Sequence, residues 1–425
     1  MFELCKKLFP INRSLTGNGN RETLRLLKEI IPNITVKEVP SGTKCFDWVV
    51  PKEWNCNAAY LIDPEGKTIC NYQNHNLHLV GYSIPINREI SFEELNNHLY
   101  SLPELPDAIP YVTSYYEENW GFCISHTERL KLKKGMYKVV IDSELSDGSL
   151  TYGELLIKGN SKEEIFLSTY ICHPSMGNNE ISGPVLTSFL AKHINLLSNK
   201  RYSYRIIFIP ETIGSIYYLS QNLTTMKERV VAGYNITCVG DNNNYSYLPS
   251  RYGETLSDKV AKHLIKYSKH NFIKYSYLDR ASDERQYCAP GVDLPVCSIM
   301  RTKYAEYPEY HTSLDNLNFI SEDGLNGALE VYKELIEILE KNYYYKVVIL
   351  AEPKMSDRGL KHTISTKSSM VESKHLMNVL TYCDGSNDLI DIANILNVPV
   401  SAIYKEVEVL YKNDLVTRNS ERYSL

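Results

Sequence analysis

Four short segments put histidine, carboxylate and amide side chains at the ends of apolar runs. The first, STYICHPSMGNNEISGP at 168–184, carries His173, Asn178, Asn179 and Glu180. Glu211 lies in FIPETIGS, Asp283 in ASDERQY and His311 in YPEYHTSLDN. Two histidines with one or two carboxylates make the ligand set of a catalytic zinc, which takes three protein ligands and leaves a position for water. Glu211 is the candidate general base, removing a proton from a water whose pKa the metal has lowered. A ligating histidine needs a neighbouring group to set its tautomer, and Asp315, four residues after His311, is a candidate for that role. Each residue also has a plain structural reading: a His-Pro loop, an acid favoured by a helix dipole at Glu211, a Ser-Asp-Glu helix cap.

Elements must bring these segments together. EIFLSTYI, YRIIFIP, VVAGYNITCV and LPVCSIM read as strands, and GPVLTSFLAKHINLL, IGSIYYLSQNL, LSDKVAKHLIKYSKH and DGLNGALEVYKELIEILEKN as helices. The alternation predicts an α/β domain with a largely parallel central sheet, whose ligands bind outside the carboxyl ends of the strands. Residues 35–132 read as a β-rich inserted domain, whose Tyr111, Tyr115, Tyr116 and Trp120 are expected to serve packing. The alternating runs over 136–159, joined at Asp147-Gly148, predict a hairpin. The core domain is thus assigned to 1–34 and 133–345, and the polar stretch 346–373 to a linker. Three helical patterns and a short strand pair over 374–425 predict a winged helix-turn-helix.

The order of the motifs resembles the co-catalytic zinc aminopeptidases, whose marks are His-x-Asp, Asp-Asn-x-Ser-Gly, Glu-Glu before Leu-Gly, Asn-x-Asp, Ser-Asp-His and a late His-Thr-x-x-Asp. Here stand His173-Pro-Ser175, Asn179-Glu180-Ile-Ser-Gly, Glu211-Thr212-Ile-Gly, Asn235-Ile-Thr237, Ser282-Asp283-Glu284 and His311-Thr-Ser-Leu-Asp315. Within that superfamily the chain is similar, along nearly its whole length, to an uncharacterised bacterial aminopeptidase-like group with a β-rich insert and a C-terminal winged helix. The resemblance implies a zinc-aminopeptidase-like core, with His173 and His311 as ligands and Glu211 as base. The family's bridging carboxylate falls on Asn179, its second glutamate on Thr212 and a further acidic ligand on Thr237. With those anions replaced by neutral groups, one zinc is expected rather than two. Glu180 is the expected third ligand, Asp241 and Asp283 its substitutes, and Asp283 otherwise an orienting group. Asn179, Arg285, Arg301, Tyr304 and Tyr310 are expected to line the substrate cleft, an arginine taking a carboxylate.

The expected activity is hydrolysis of an amide bond in a short peptide or an N-acylated small molecule such as an amino sugar. The rival expectation is a non-catalytic binding or assembly protein on a peptidase fold. Several classes are excluded on composition. Net charge is −5, and residues 346–425 hold ten Lys/Arg against ten Asp/Glu, so no nucleic-acid partner is expected. No apolar run approaches membrane-span length. Ten scattered cysteines and no signal-peptide pattern suit reduced thiols in a cytoplasm. A thiol protease is disfavoured because Cys172 and His173, as strand neighbours, would face opposite ways. The insert or the winged helix offers a surface for homo-oligomer assembly.

Overall fold

The computed structural model describes residues 1–360, 367–420 and 422, with the backbone alone described at 367–373. Two compact units emerge, one of residues 1–257 with 272–331 and one of 258–271 with 332–425.

In the first unit, among the described residues, eight strands form the central sheet. They are β1 (Thr35–Pro40), β2 (Ser149–Ile157), β3 (Glu164–Tyr170), β4 (Ser203–Ile209), β5 (Val230–Asn235), β6 (Tyr245–Leu248), β7 (Phe272–Lys274) and β8 (Val296–Met300). Their order is β1-β2-β4-β3-β5-β8-β6-β7. The inner strands β4, β3, β5 and β8 are mutually parallel; on one flank β2 runs antiparallel to both β1 and β4, and on the other β6 is antiparallel to β8 and parallel to β7. The sheet is therefore mixed, with its parallel part at the centre. All seven residues of β3 are buried, as the unbroken apolar run of a strand covered on both faces requires. Register aligns the exits: Tyr170 stands opposite Ile209, so the chain leaves β3 towards His173 beside the place where β4 leaves towards Glu211.

The two runs over 136–159 do not form a hairpin. Met136–Ser146 pairs with Glu53–Ile62 and Ile86–Ser91 in a separate four-stranded sheet, whereas β2 pairs with β1 and β4. Alternation is a property of each strand alone and does not say which sheet it joins. For the same reason β1, read as part of the insert, is the edge of the central sheet.

The second unit contains the winged helix. Helices Lys367–Thr381, Leu389–Leu396 and Tyr404–Lys412 accompany a sheet of β9 (Tyr344–Val347), β10 (Asp384–Asp388) and β11 (Val416–Asn419), with β9 in the middle. Only β11 follows the last helix; its partner β9 comes before the first. The segment read as a linker thus begins inside a strand, at Lys346 and Val347. Within this unit His263 is locked neutral, with Nδ1 at 3.0 Å from Asn394 Oδ1 and Nε2 accepting the Val400 N–H at 3.0 Å. Burial lowers its pKa, against a smaller upward pull from Asn394. The unfolded chain therefore takes up a proton first as pH falls from about 6.5. Stability is full above that value and is lost as pH falls through the lowered one. Thermal unfolding of this unit should shift down between pH 7 and pH 5, and the slope should flatten in His263→Gln; equal slopes would refute the assignment. Among the described residues no helix is long and apolar enough to cross a membrane.

Candidate functional site

His173 sits past the end of β3, 5% exposed, where an Arg13-Glu180 pair holds it from behind. Its Nδ1 lies 2.8 Å from Glu180 Oε2. A carboxylate accepts only, so Nδ1 carries the proton and Nε2 faces the cleft. Arg13 and Glu180 are 1% and 0% exposed, with Arg13 Nε 3.6 Å from Glu180 Oε1. Arg13 also donates from Nε to the His173 carbonyl at 3.0 Å and from Nη1 to the Leu8 carbonyl at 2.8 Å. Burial opposes charge on His173, but Cys172 and Glu180 outweigh it and raise its pKa well above the usual histidine range. A metal at Nε2 would have to displace that proton.

Glu211 faces this ring, its Oε2 3.7 Å from His173 Nε2. Ser282 Oγ donates to Glu211 Oε1 at 2.7 Å, and Asn235 Nδ2 lies 3.3 Å from the same serine oxygen. Burial raises the Glu211 pKa against the downward pulls of His173, Ser282 and Arg285. The next residue, Thr212, has φ +63°, a conformation that costs a branched side chain strain and persists only when held. Asp283 Oδ1 holds it, accepting from Thr212 N–H and from Ser215 Oγ, both at 2.8 Å. Burial and the Glu211 charge push the Asp283 pKa up to about 8. Asp283 thus supports the turn that presents Glu211. Arg285 Nη2 donates to Thr212 Oγ1 at 2.7 Å.

His311 completes the group, its ring centroid 5.4 Å from that of His173. It too has positive φ, +55°. The insert holds its loop in place: Tyr111 N–H donates to the His311 carbonyl, and Ser313 N–H to the Ile109 carbonyl, each at 2.9 Å. Tyr310 stacks on His311 at 3.9 Å, and the Tyr111 ring stands 5.4 Å from His173 and 5.2 Å from His311. Burial, then the His173 charge, pushes the His311 pKa down to about 3, so it stays neutral and able to ligate. Asn179 Nδ2 reaches His311 Nε2 at 3.4 Å.

Other expected site residues lie elsewhere. Glu180 is not in the cleft but behind His173. Asp241 accepts from Asn178 Nδ2, Thr302 N–H, Thr302 Oγ1 and Asn243 N–H, which leaves it no part in a metal site. Arg301 is buried over the Tyr245 ring and donates to the Asp241 carbonyl. Tyr304 is buried too, its hydroxyl bonded to Glu284 and to Ala281 N–H. Asp315 accepts the N–H groups of Asn178 and Asn179, fixing the wide π-type turn Gly177–Ile181 rather than orienting His311. Cys172 lies past the strand, so alternation does not apply, and its Sγ is 3.6 Å from His173 Nδ1. It is nonetheless 1% exposed, and burial pushes its pKa up to about 11, which leaves no reactive thiolate. Arg13, Tyr170 and Tyr111 had no local signal as site residues, and Ser282 stands out only as part of the Ser-Asp-Glu motif.

The donors can be tested against zinc. Two ions do not fit. The Tyr170 hydroxyl is bonded to Asn179 Oδ1 at 3.1 Å and Thr237 Oγ1 at 2.5 Å, and Arg285 occupies Thr212 Oγ1. Among the described residues only Cys172, His173 and Glu180 have ligating atoms all within 4.8 Å of one another. The Arg13 guanidinium beside that trio repels a cation. On the opposite side, His173 Nε2 and His311 are donors of the type a single zinc takes, with Glu211 beside them, but the ligating atoms of these three do not all lie within 4.8 Å of one another.

A mixed α/β sheet with histidines and a glutamate at the ends of its parallel strands, followed by a winged helix, defines an aminopeptidase-like protein. The chain belongs to the family described as a domain of unknown function, DUF4910, which it matches over residues 2–342; residues 343–418 match a winged helix-turn-helix family. A Clostridium acetobutylicum protein, provisionally described as a polysaccharide biosynthesis protein with an aminopeptidase-like domain, is 41% identical over 418 residues, 98% of this chain and 95% of its own. The crystal structure of a C. acetobutylicum protein, provisionally called a peptidase, superposes with a TM-score of 0.92 at 39% identity over 98% of this chain and 96% of that one. BSAP, a zinc aminopeptidase from Bacillus subtilis, gives 0.56 at 12% identity over 80% and 93%, which shows a shared fold. An M28 peptidase precursor from Shewanella amazonensis gives 0.54 at 12% over 83% and 94%.

Proposed function

We propose that this protein hydrolyses an amide bond in a small N-acylated substrate, using one zinc held by His173 and His311 with Glu211 as base. The observation that carries this reading is the commitment of His173 Nδ1 to Glu180, which turns Nε2 towards Glu211. A bound zinc would supply polarisation of the scissile carbonyl and a water of lowered pKa. Glu211, anchored through Oε1 by Ser282, keeps Oε2 for the proton, and burial, by raising its pKa, makes it a stronger proton acceptor. Tyr111 and Tyr310 flank His311 and keep bulk water from the reacting bond. The description of the C. acetobutylicum relative favours an N-acyl amino sugar over a peptide.

Metal content of the purified protein tests the reading directly. About one zinc per chain, absent in His173→Ala and in His311→Ala, is expected; none after soaking in zinc would favour a binding protein on a peptidase fold. Glu180→Gln should weaken zinc binding about 10–100-fold, as loss of a group orienting a ligand does. Asn179→Asp, which adds an anion beside His311, should tighten it. For the winged helix, the helix Tyr404–Lys412 balances Lys405 and Lys412 against Glu406 and Glu408, which supports protein contact rather than DNA binding. Tight binding to duplex DNA at low salt in a mobility-shift assay would overturn that part.

A further inference from the structure

Arg285 is an exposed cation at the cleft with almost nothing bound to it. Its single hydrogen bond runs from Nη2 to Thr212 Oγ1, and it makes no ion pair among the described residues. Its charge lowers the pKa values of Glu211 and Asp283, but neither carboxylate hydrogen-bonds to it. Asp283 is fully buried and spends Oδ1 on Thr212 N–H and Ser215 Oγ. Glu284 is fully buried and receives Ala281 N–H, Ser282 N–H, the Tyr304 hydroxyl and Asn235 Nδ2. Glu211 is tied to Ser282 and faces His173. A planar guanidinium with free N–H donors matches a carboxylate, which it binds through two parallel bonds.

The same arrangement argues against an amine. An ammonium needs carboxylates or carbonyls aimed at it; beside Thr212, Asp283 and Glu284 are buried, and Glu211, 20% exposed, is tied to Ser282 and faces His173. An ammonium beside Thr212 would instead meet the Arg285 charge. We infer that Arg285 is the anion-binding group of the cleft, and that the substrate is an acylated compound bearing a carboxylate, rather than a free amine, close to the scissile amide. This rests on the proposed amide hydrolysis and narrows its substrate. The carboxylate belongs either to an N-acyl amino acid or to an N-acyl sugar acid; the chemistry at Arg285 is common to both.

Acetate release from matched pairs tests it: N-acetylalanine against its N-methylamide, and N-acetylmuramic acid against N-acetylglucosamine, with p-nitroaniline release from alanine p-nitroanilide as the free-amine arm. The wild-type enzyme should favour the carboxylate member of one pair by about tenfold or more in kcat/KM, the size of a hydrogen bond to a charged group. The pair that responds identifies the source. Arg285→Met should erase the preference through KM, Arg285→Lys should keep part of it, and added salt should weaken it. Equal rates within both pairs, an unchanged preference in Arg285→Met, or a preference for the free amine would each overturn the inference. Calorimetric titration of N-acetylalanine and N-acetylmuramic acid into wild type and Arg285→Met separates the two claims. Arg285-dependent binding without turnover would remove the hydrolase reading and leave the anion site. Neither turnover nor binding would remove both.

Discussion

Glu211→Gln should lower amide hydrolysis about 10²–10⁴-fold, the range that a positioned general base supplies, while zinc content and unfolding temperature stay at wild-type values. Glutamine keeps the volume and can still accept from Ser282 Oγ, which bonds Glu211 Oε1 at 2.7 Å. It cannot take a proton. The metal readout gives the experiment its force, because Oε2 lies only 3.7 Å from His173 Nε2. If zinc departs along with activity, Glu211 is a ligand, and the base must be sought elsewhere. If activity survives, the base assignment fails outright. The pH profile provides a second check. The base must be ionised, and burial raises its pKa, so activity should fall with decreasing pH through a value above the ordinary carboxylate range.

Much of this arrangement was legible in the sequence because parallel strands place their loops at one sheet edge. The alternation of strands and helices locates the edge, and the apolar runs ending at His173 and Glu211 locate the loops. What could not be read was direction. Asn179 and Glu180 are neighbours, yet the π-type turn sends Asn179 to His311 and Glu180 behind His173. That turn is fixed by Asp315, more than 130 residues away. Arg301 and Tyr304, next to the His311 motif in sequence, leave β8 into buried contacts with Asp241 and Glu284. Tyr111 was not legible as a site residue, because its role depends on pairing between residues 109–111 and 311–313.

Two of the neutral residues at positions expected of acidic ligands, Asn179 and Thr237, form one hydrogen-bonded set with Tyr170. Tyr170 stands level with Thr237, because β3 and β5 pair Ser168 with Asn235, two residues before each. Its hydroxyl therefore reaches both Thr237 and Asn179, satisfying buried polar atoms that an ion would otherwise require as carboxylates. Positive charge in this region is supplied by the protein itself, from Arg13 on the buried side and Arg285 on the open side.

Arg13→Met should destabilise the first unit by about 3 kcal/mol, the low end for breaking a buried ion pair, because it takes one of two cationic neighbours from the buried Glu180 and leaves His173 as the other. Glu180 is 0% exposed; its Oε2 is 2.8 Å from His173 Nδ1, and its Oε1, which has no hydrogen-bond partner, faces the guanidinium at 3.6 Å. Methionine fills much of the arginine's volume, so the loss reports charge and hydrogen bonding more than a cavity. The bonds to the His173 and Leu8 carbonyls disappear with it, which loosens the backbone that carries the histidine. Adding Glu180→Gln should return part of the stability, since a neutral amide no longer needs the cation and can still accept from His173 Nδ1. Chemical denaturation of both single variants and the double variant measures that coupling. A double variant no more stable than Arg13→Met alone would mean the pair is not coupled. Zinc affinity should follow a different order, with Arg13→Met weakening it even at denaturant-free conditions where the fold is intact, because Arg13 reaches the ligand through both its carbonyl and Glu180. Destabilisation without any loss of zinc affinity would reduce Arg13 to a structural group and detach the buried ion pair from the site.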